Sequence, residues 1–275
     1  DQDGGRASLQ ASDATLNLRP LFSKPIPIGR LDGGLDWRHE SDGTWRLAGR
    51  NLQLGNADLA GQGQFDLTLP PAGGEVAMDL TASFHDANAA ATRTYLPVGT
   101  MPHQLVTWLE DSIVSGRVTH GEVEVHGPLV HFPFRHGEGL FALNLEFEDL
   151  RLAYQQDWPP IESAAGRLKF RNQGLTIQVD RGRIYDSQLS AAQTVIPETK
   201  GPDRLRIHGE TLGPFADARR ILTETPLAKT LGRLGKVLEV AGTARLALDI
   251  ELPLADHIPL GVSGTLSWPE RATLG

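Results

Sequence analysis

Hydrophobic and polar residues alternate along much of the chain, and the stretch LFALNLEFEDLRLAY at 140–154 shows the pattern most clearly. Its apolar residues before Asp149 share one parity, with Asn and Glu between them: Phe141, Leu143, Leu145 and Phe147. After Asp149 the phase changes, and the leucines take the other parity. Because successive side chains of a strand point to opposite faces, this stretch predicts a strand with one apolar and one acidic face.

Further alternating runs follow from about residue 44, and Gly, Pro, Asn and Asp separate them. Short strands at this spacing predict a meandering antiparallel sheet. The clearest runs are 59–69, 76–84, 122–126, 166–171, 175–180, 189–196 and 243–252. The sequence therefore predicts a mainly β protein with a few short helices, in which helix pairs interrupt a long curved antiparallel sheet that forms a hydrophobic groove.

Two breaks in the alternation predict helices, and the first break covers residues 86–114. Asp86 is the expected N-cap of its first helix. Thr100 is the expected cap of its second helix, with a proline in the first turn. This second helix carries an apolar stripe at spacings of three and four residues, formed by Leu105, Trp108, Leu109 and Ile113.

The second break covers residues 214–238 and has the same layout. Thr225 and Pro226 repeat the combination of cap and proline that begins a helix. The apolar stripe that follows consists of Leu227, Leu231, Leu234 and Leu238. We therefore expect this break to form a second helix pair.

The two breaks belong to an internal repeat with an offset of about 125 residues. Matching pairs occur in strands, helices and turns alike: Leu80 with Leu205, Thr100 with Thr225, Leu109 with Leu234, Val125 with Ile250, and Phe141 with Leu266. Repeats of this kind build arrays in which each unit packs mainly on its neighbours. We expect a strand-rich segment at 1–85, one repeat unit at 86–210 and the start of a second unit at 211–275.

Net charge and cysteine content narrow the classes of function. The formal net charge is −8 at pH 7, so no basic stripe is available for phosphates and nucleic acid is not an expected partner. The absence of cysteine excludes disulfides and thiolate catalysis. No apolar run is long enough to span a membrane, and we expect the chain to be a piece of a longer protein whose anchor lies outside it.

Residues that commonly catalyse reactions or bind metals are present, but in no specific pattern. Four histidines lie close together in the sequence without Asp or Cys at zinc spacing: His120, His126, His131 and His136. The glutamate pairs at 122/124 and 146/148 lie on the polar parity of strands, where charges normally face water. We therefore expect no catalytic residue, no metal site and no cofactor, and we do not expect an enzyme.

The alternation leaves open what covers the apolar face of the sheet: a second sheet, the helix pairs, or an apolar ligand in a groove. A dozen strands at about 4.8 Å spacing extend roughly 55–60 Å, which two short helix pairs cannot cover. For the groove, parity assigns the lining to Phe141, Leu143, Leu145, Phe147, Leu168, Phe170, Ile177, Val179, Leu246, Leu248 and Ile250. The helix residues Leu105, Trp108 and Leu109 are expected at the mouth of the groove.

Two long stretches carry a resemblance to a known family: YLPVGTMPHQLVTWLEDSIVSGRVTHGEVEVHGPLVHFPFRHGEGLF at 95–141 and YQQDWPPIESAAGRLKFRNQGLTI at 154–177. They closely resemble the central region of YhdP-type proteins, which are large AsmA-like proteins of the Gram-negative envelope. The most specific parts are Tyr95-Leu96-Pro97, Trp108-Leu109, Ser115-Gly116, Phe132-Pro133-Phe134 and Trp158-Pro159-Pro160. The resemblance covers roughly residues 80–268.

The resemblance implies a protein anchored in the inner membrane, with a long periplasmic body that carries phospholipid towards the outer membrane in a repeating β-groove. Exposing one methylene to water costs about 0.8 kcal/mol, so two acyl chains of about fifteen methylenes each would cost roughly 24 kcal/mol. An apolar groove would remove most of this cost without a nucleophile or a cofactor. The alternative is a structural or scaffolding protein of envelope assembly, with a closed β core and a surface that binds envelope proteins.

Overall fold

The computed structural model describes residues 3–19, 21–101, 103–196, 204–229, 240–253, 261–269, 273 and 274. In these ranges, thirteen strands form one sheet in which hydrogen-bonded neighbours follow one another in chain order, except that β13 is the neighbour of β11. Neighbouring strands run antiparallel, as in β1 with β2 and β13 with β14. The predicted mainly β fold, with antiparallel strands and a few short helices, is confirmed.

The strands are long, and most contain ten or more residues. Their bounds are β1 Asp3–Leu16, β2 Ile26–His39, β3 Trp45–Gly55, β4 Ala60–Leu69, β5 Ala77–Asn88, β6 Ile113–Pro128, β7 Leu140–Leu152, β8 Ile161–Arg171, β9 Gly174–Ile184, β10 Ser187–Ile196, β11 Arg204–Pro214, β12 Val240–Ala241, β13 Thr243–Pro253, β14 Gly261–Ser267 and β15 Thr273–Leu274. The short strands β12 and β15 pair with each other rather than with the large sheet.

The helices lie where the alternation breaks. They are α1 Thr92–Tyr95, α2 His103–Ser112 and α3 Phe215–Glu224, with short 3₁₀ helices at Ala89–Ala91, Val98–Thr100 and Leu129–His131. No helix in the described part of the chain is long and apolar enough to cross a membrane.

The predicted N-cap of the first break is wrong. Asp86 lies within β5 at a φ of +53°, in the left-handed region that Asp and Asn tolerate better than most residues. Asn88 is the cap instead, since its side chain accepts a hydrogen bond from the Ala90 N–H at 3.1 Å. The Thr100 hydroxyl donates to the Pro97 carbonyl at 2.9 Å, within its own 3₁₀ turn.

In the second break, α3 is followed by the predicted combination of threonine and proline. The Thr225 hydroxyl accepts from the Leu227 N–H at 3.2 Å and donates to the Ile221 carbonyl at 2.6 Å. Leu227 is buried. The other members of the predicted stripe, Leu231, Leu234 and Leu238, lie outside the described residues.

The phase change in the stretch 140–154 has a local cause in the backbone of β7. Asp149 has a φ of +51°, the conformation of a residue that breaks the regular pleat. The same conformation at Asn51 coincides with a break in register between β3 and β4. One extra residue at such a position changes the parity of the sequence, so that the apolar side chains stay on one face.

At the offset of 125, β5 corresponds to β11 and β6 to β13, whereas the counterpart of α2 falls at residues 228–237, most of which lie outside the described residues. The two copies keep their parity but differ in register. Ala82 lies opposite Val123, whereas Ile207, its counterpart at the offset of 125, lies opposite Ile250 rather than Leu248. The division into a segment and two repeat units remains a prediction.

The chain divides into two compact units. Unit 1 consists of Asp1–Thr107, Arg117–Glu146 and Lys169–Gln173, and unit 2 of Trp108–Gly116, Phe147–Leu168 and Gly174–Gly275. Each unit contributes its own portion of sheet with an apolar face.

Candidate functional site: the apolar face of the sheet

In unit 1, residues that face one another across β1 to β6 form rows that contain only apolar side chains and glycine. One row consists of Gly5, Trp37, Leu47, Leu67, Met78 and Gly127, and the next of Ala7, Leu35, Gly49, Phe65, Leu80 and Val125. A further row consists of Ala11, Leu31, Leu54, Gly61, Phe84 and Gly121. The apolar face of unit 1 is therefore continuous over six strands.

Glycines in these rows lie beneath the aromatic rings of neighbouring strands. A Cβ atom added at Gly49 would overlap the ring of Phe65, and one added at Gly121 would overlap the ring of Phe84. At Gly5 the overlap would be with the indole of Trp37. Each ring fills the space above a residue without a side chain, so glycine contributes to a continuous apolar surface rather than interrupting it.

Most of the side chains in these rows are only half-buried. In β1 and β4, half-buried and exposed residues alternate over most of the strand. Such a pattern arises when neighbouring strands shield the sides of a residue and no other layer of protein covers its top. The apolar face of unit 1 thus remains accessible over most of its described area.

The predicted lining residues of unit 1, Phe141, Leu143, Leu145 and Phe170, are all half-buried. The ring centroids of Phe141 and Phe170 lie 5.5 Å apart, and those of Phe132 and Phe141 lie 4.8 Å apart. Asn172 fixes this cluster because its side chain accepts from the Phe141 N–H at 2.9 Å and its own N–H donates to the Phe141 carbonyl at 2.8 Å. These phenylalanines form one aromatic patch.

Unit 2 has similar rows across β9, β10, β11, β13 and β14, which are apolar except at Thr194. One row consists of Ile177, Thr194, Ile207, Ile250 and Val262, and the next of Val179, Ala192, Gly209, Leu248 and Gly264. The predicted lining residues Ile177, Val179, Leu248 and Ile250 therefore belong to two adjacent rows and are half-buried. Phe147 and Leu168 are half-buried as well.

Helix α3 covers the third row of unit 2. Ala218 and Ile221 of the helix, together with Leu227, pack with Ile184 and Leu246 in a buried core. Leu246 is 4% exposed, so this predicted lining residue lies in the core beneath α3. Parity placed it on the correct face, but the helix occupies that end of the face.

A buried carboxylate holds α3 in this position. Asp217, in the first turn of the helix, accepts hydrogen bonds from the Asp186 N–H at 3.0 Å and from the Ser187 hydroxyl at 2.8 Å. The guanidinium of Arg220 lies 3.6 Å from the centre of the Tyr185 ring. These contacts join the helix to the turn between β9 and β10, and they are consistent with a fixed cover over the core.

The helix expected at the groove mouth, α2, exposes two of its three named residues. Leu105 is 42% exposed and Trp108 is 41% exposed, whereas Leu109 is half-buried. The indole N–H of Trp108 donates to the Tyr154 carbonyl at 2.8 Å, which fixes the ring in unit 2. Burial raises the pKa of the Tyr154 hydroxyl above its ordinary value.

The opposite face carries charges of both signs in pairs. In unit 1, Arg6 pairs with Asp36 at 2.5 Å, and Arg50 pairs with Asp66. In unit 2, Arg245 pairs with Glu210 at 2.9 Å and Arg151 with Glu162 at 2.9 Å, and the His208 ring contacts the Asp249 carboxylate at 2.8 Å. This face is therefore highly polar and suited to contact with water.

Three of the histidines considered as metal ligands lie beside acidic residues. His126 contacts Asp79 at 3.0 Å, His120 contacts Glu122 at 3.4 Å, and His131 lies 3.7 Å from Glu75. Among the described residues, no group of three or more His, Asp or Glu side chains could hold a metal ion. The pairs at 122/124 and 146/148 lie on strands and include exposed carboxylates.

Comparison with known proteins yields a family match and one informative relative. The model of the YhdP protein family matches residues 1–271. The intermembrane phospholipid transporter YhdP of Escherichia coli K12 is 25% identical over 252 residues, which are 92% of this chain and 20% of that transporter. The chain thus spans about a fifth of the length of this curated relative. No solved structure matches the chain.

The family match covers nearly the whole chain and extends to the first strands, beyond the range 80–268 of the sequence resemblance. It also covers every row of the apolar face described above. The chain therefore belongs to the YhdP family.

Proposed function

We propose that this chain is a segment of a lipid-transfer bridge and that phospholipid acyl chains lie on the apolar face of its sheet. The observation that carries the proposal is the continuity of half-buried apolar rows in each unit. The family relationship and the name of the Escherichia coli relative, an intermembrane phospholipid transporter, support the choice of phospholipid as the ligand.

The two faces of the sheet suit two different surroundings, acyl chains and water. Acyl chains in water cost about 0.8 kcal/mol for each exposed methylene, and contact with an apolar surface recovers much of that cost. Rows that continue from strand to strand offer this contact at successive positions, so a lipid would meet no large desolvation barrier between neighbouring rows. The charged opposite face keeps the same strands compatible with water.

The cover provided by α3 narrows the proposed lipid-binding area of unit 2. The row that contains Leu246 is filled by protein, whereas the rows that contain Leu248 and Ile250 remain half-buried. In unit 2 we therefore assign the acyl chains to these two rows, beside α3 rather than beneath it. In unit 1 we assign them to the rows across β1 to β6, to the Phe141–Phe170 patch, and to Leu143 and Leu145 on the same parity of β7 as Phe141.

For the complete protein we propose a location in the periplasm, anchored in the inner membrane outside this chain and directed towards the outer membrane. Envelope proteins at either membrane are the proposed partners, together with phospholipid as cargo. These proposals follow from family membership and from the role named for the relative. They assign no catalytic step to the chain.

The proposal is tested by placing charges on the apolar face and, in a matched control, on the polar face. Leu145→Asp with Ile177→Asp should abolish most lipid transfer by the complete protein between donor and acceptor liposomes, because both residues lie in the proposed path. Asn144→Asp with Gln178→Asp adds the same two charges on the opposite parity of the same strands. This control should transfer lipid at the wild-type rate.

Circular dichroism and lipid extraction complete the experiment. Both variants should keep the β spectrum, because the substituted residues are not in the buried core. Phospholipid should be extracted from the wild type and the control but be depleted in the apolar-face variant. Unchanged transfer after Leu145→Asp with Ile177→Asp would show that lipid takes another path, and a wild-type protein free of phospholipid would favour a scaffolding role.

A further inference from the structure

Three aromatic rings with N–H groups lie together at one end of β2 and β3 in unit 1. Trp37 and His39 share the apolar parity of β2, and Trp45 lies opposite His39 on β3. The rings of His39 and Trp45 are stacked, with centroids 4.5 Å apart and an angle of 22° between their planes. We call Trp37, His39 and Trp45 the aromatic end of the β2–β3 hairpin.

These rings are accessible, and their polar atoms have no partner in the described part of the chain. Trp37 is 36% exposed and Trp45 is 43% exposed. No described residue accepts a hydrogen bond from either indole N–H or bonds to the imidazole of His39. Trp108 is comparably exposed, but its indole N–H is bonded to the Tyr154 carbonyl.

The aromatic end lies where the apolar rows of unit 1 stop. Trp37 belongs to the row that includes Leu47, Leu67 and Met78. The His39–Trp45 pair is the next step towards the turn of the hairpin, and beyond it the chain becomes polar at Glu40 to Thr44. The three N–H groups are therefore at the boundary between apolar surface and water.

We propose that the aromatic end binds the phosphodiester of a phospholipid whose acyl chains lie on the adjoining rows. This inference rests on the proposed function and adds to it the position of the head group. An indole combines an apolar ring with a single donor, which suits the boundary between acyl chains and the polar head. Phosphate oxygens accept hydrogen bonds from such donors and form stronger bonds than neutral acceptors do.

Two carboxylates of the adjoining turn, Glu40 and Asp42, are engaged in local contacts. Glu40 accepts from Arg46 at 2.7 Å, and Asp42 accepts from the Thr44 N–H at 2.9 Å. The guanidinium of Arg46 and the hydrogen bond from Thr44 therefore offset part of their negative charge near a bound phosphate. The aromatic end thus presents three rings with N–H groups on the apolar face, and Asp3 of β1 is the carboxylate directly opposite His39.

The test compares a ligand that has a phosphate with one that lacks it. The complete protein in detergent micelles is incubated with equal amounts of dioleoyl phosphatidylethanolamine and dioleoylglycerol, and the bound lipids are measured by mass spectrometry. Trp37→Phe with Trp45→Phe removes both indole N–H groups but keeps aromatic rings for the acyl chains. The ratio of bound phospholipid to bound diacylglycerol should fall about tenfold, with diacylglycerol binding unchanged.

The alternative outcomes separate this inference from the proposed function. An unchanged ratio, or an equal loss of both lipids, would overturn the assignment of the phosphodiester to these rings while leaving lipid binding intact or weakened. A wild-type protein that retains neither lipid would overturn the proposed function itself. His39→Phe supplies a second variant, and it should lower the ratio in the same direction by removing the third ring with an N–H group.

Discussion

The ring of Phe84 on β5 lies over Gly121, its direct partner on β6. A Cβ atom at residue 121 would overlap the far end of the ring, so glycine is what allows the ring to lie against the sheet. The same relationship joins Phe65 with Gly49. Aromatic rings in this arrangement extend the apolar face without standing out from it.

Replacing Gly121 with valine should therefore displace the Phe84 ring. We expect a loss of about 1–3 kcal/mol in the free energy of unfolding, as is typical when atoms are added to a packed site. Urea denaturation of the chain measures this loss. The double variant Gly121→Val with Phe84→Ala should recover part of the loss caused by valine, because the clash with the ring is removed. If the effects of the two substitutions on the free energy of unfolding simply add in a double-mutant cycle, the contact between the two residues is contradicted.

The left-handed backbone of Asp149 predicts an unusual order of stability at that position. Asp149→Val should lower the free energy of unfolding by about 1–2 kcal/mol, because a β-branched residue tolerates this backbone poorly. Asp149→Gly should be close to neutral, since glycine adopts the same conformation without strain. Chemical denaturation of the two variants distinguishes them. Equal stability of the valine and glycine variants would show that the phase change has another cause.

Because Tyr95 is partly buried, we expect the free energy of unfolding to depend on pH in the alkaline range. The Tyr95 hydroxyl donates to Asp58 at 3.1 Å in a network with Asn56, and burial raises its pKa to about 12 from the ordinary tyrosine value of 10.0. Between these values the unfolded chain loses the tyrosine proton and the folded chain keeps it, so the free energy of unfolding falls as pH rises from about 10 to 12.

The measurement is urea denaturation at intervals between pH 9 and about pH 12 for the wild type and Tyr95→Phe. The variant should be less stable at pH 9, because it loses the hydrogen bonds of the hydroxyl. It should also lose less stability than the wild type on going to higher pH. Parallel curves for the two proteins would show that Tyr95 titrates alike in the folded and unfolded chains.

Alternation predicted the strands well where the apolar residues are large. The runs at 59–69 and 189–196 correspond to β4 and β10, and the phase change at Asp149 was visible before its backbone was known. The fold class and the polar opposite face follow from the same periodicity of two. These features depend on residues close together in sequence.

The first strand was harder to predict because its apolar face is made largely of alanine and glycine, and single glycines also interrupt the apolar parity of β2 and β3. The Trp37 ring covers Gly5 and the Phe65 ring covers Gly49, so the apolar surface at each glycine comes from a neighbouring strand. Glycine opposite an aromatic residue on the same parity is the signal that would have revealed these positions. The alternation within a single strand does not show this pairing of glycine with an aromatic residue.

The sequence also does not predict features that depend on tertiary packing, or positions where one residue type is suited to two local roles. Parity placed Leu246 on the apolar face, but it could not show that α3 covers that row. Asp is favoured both at helix caps and in left-handed backbone, so Asp86 was given the role that Asn88 fills. No sequence motif marks the exposed pair Trp37 and Trp45. The proposed role of this pair in lipid binding depends on its position at the end of the apolar rows of unit 1.

The most direct test of the account is site-specific photo-crosslinking at two consecutive residues of β9 in the complete protein. Benzoylphenylalanine at Ile177 faces the proposed acyl chains, and at Gln178, whose amide donates to Asp180 at 2.9 Å, it faces the polar side. We predict phospholipid adducts in the mass spectrum at residue 177 and none at residue 178. Equal labelling at both residues, or no phospholipid adduct at residue 177, would contradict a lipid path along the apolar face.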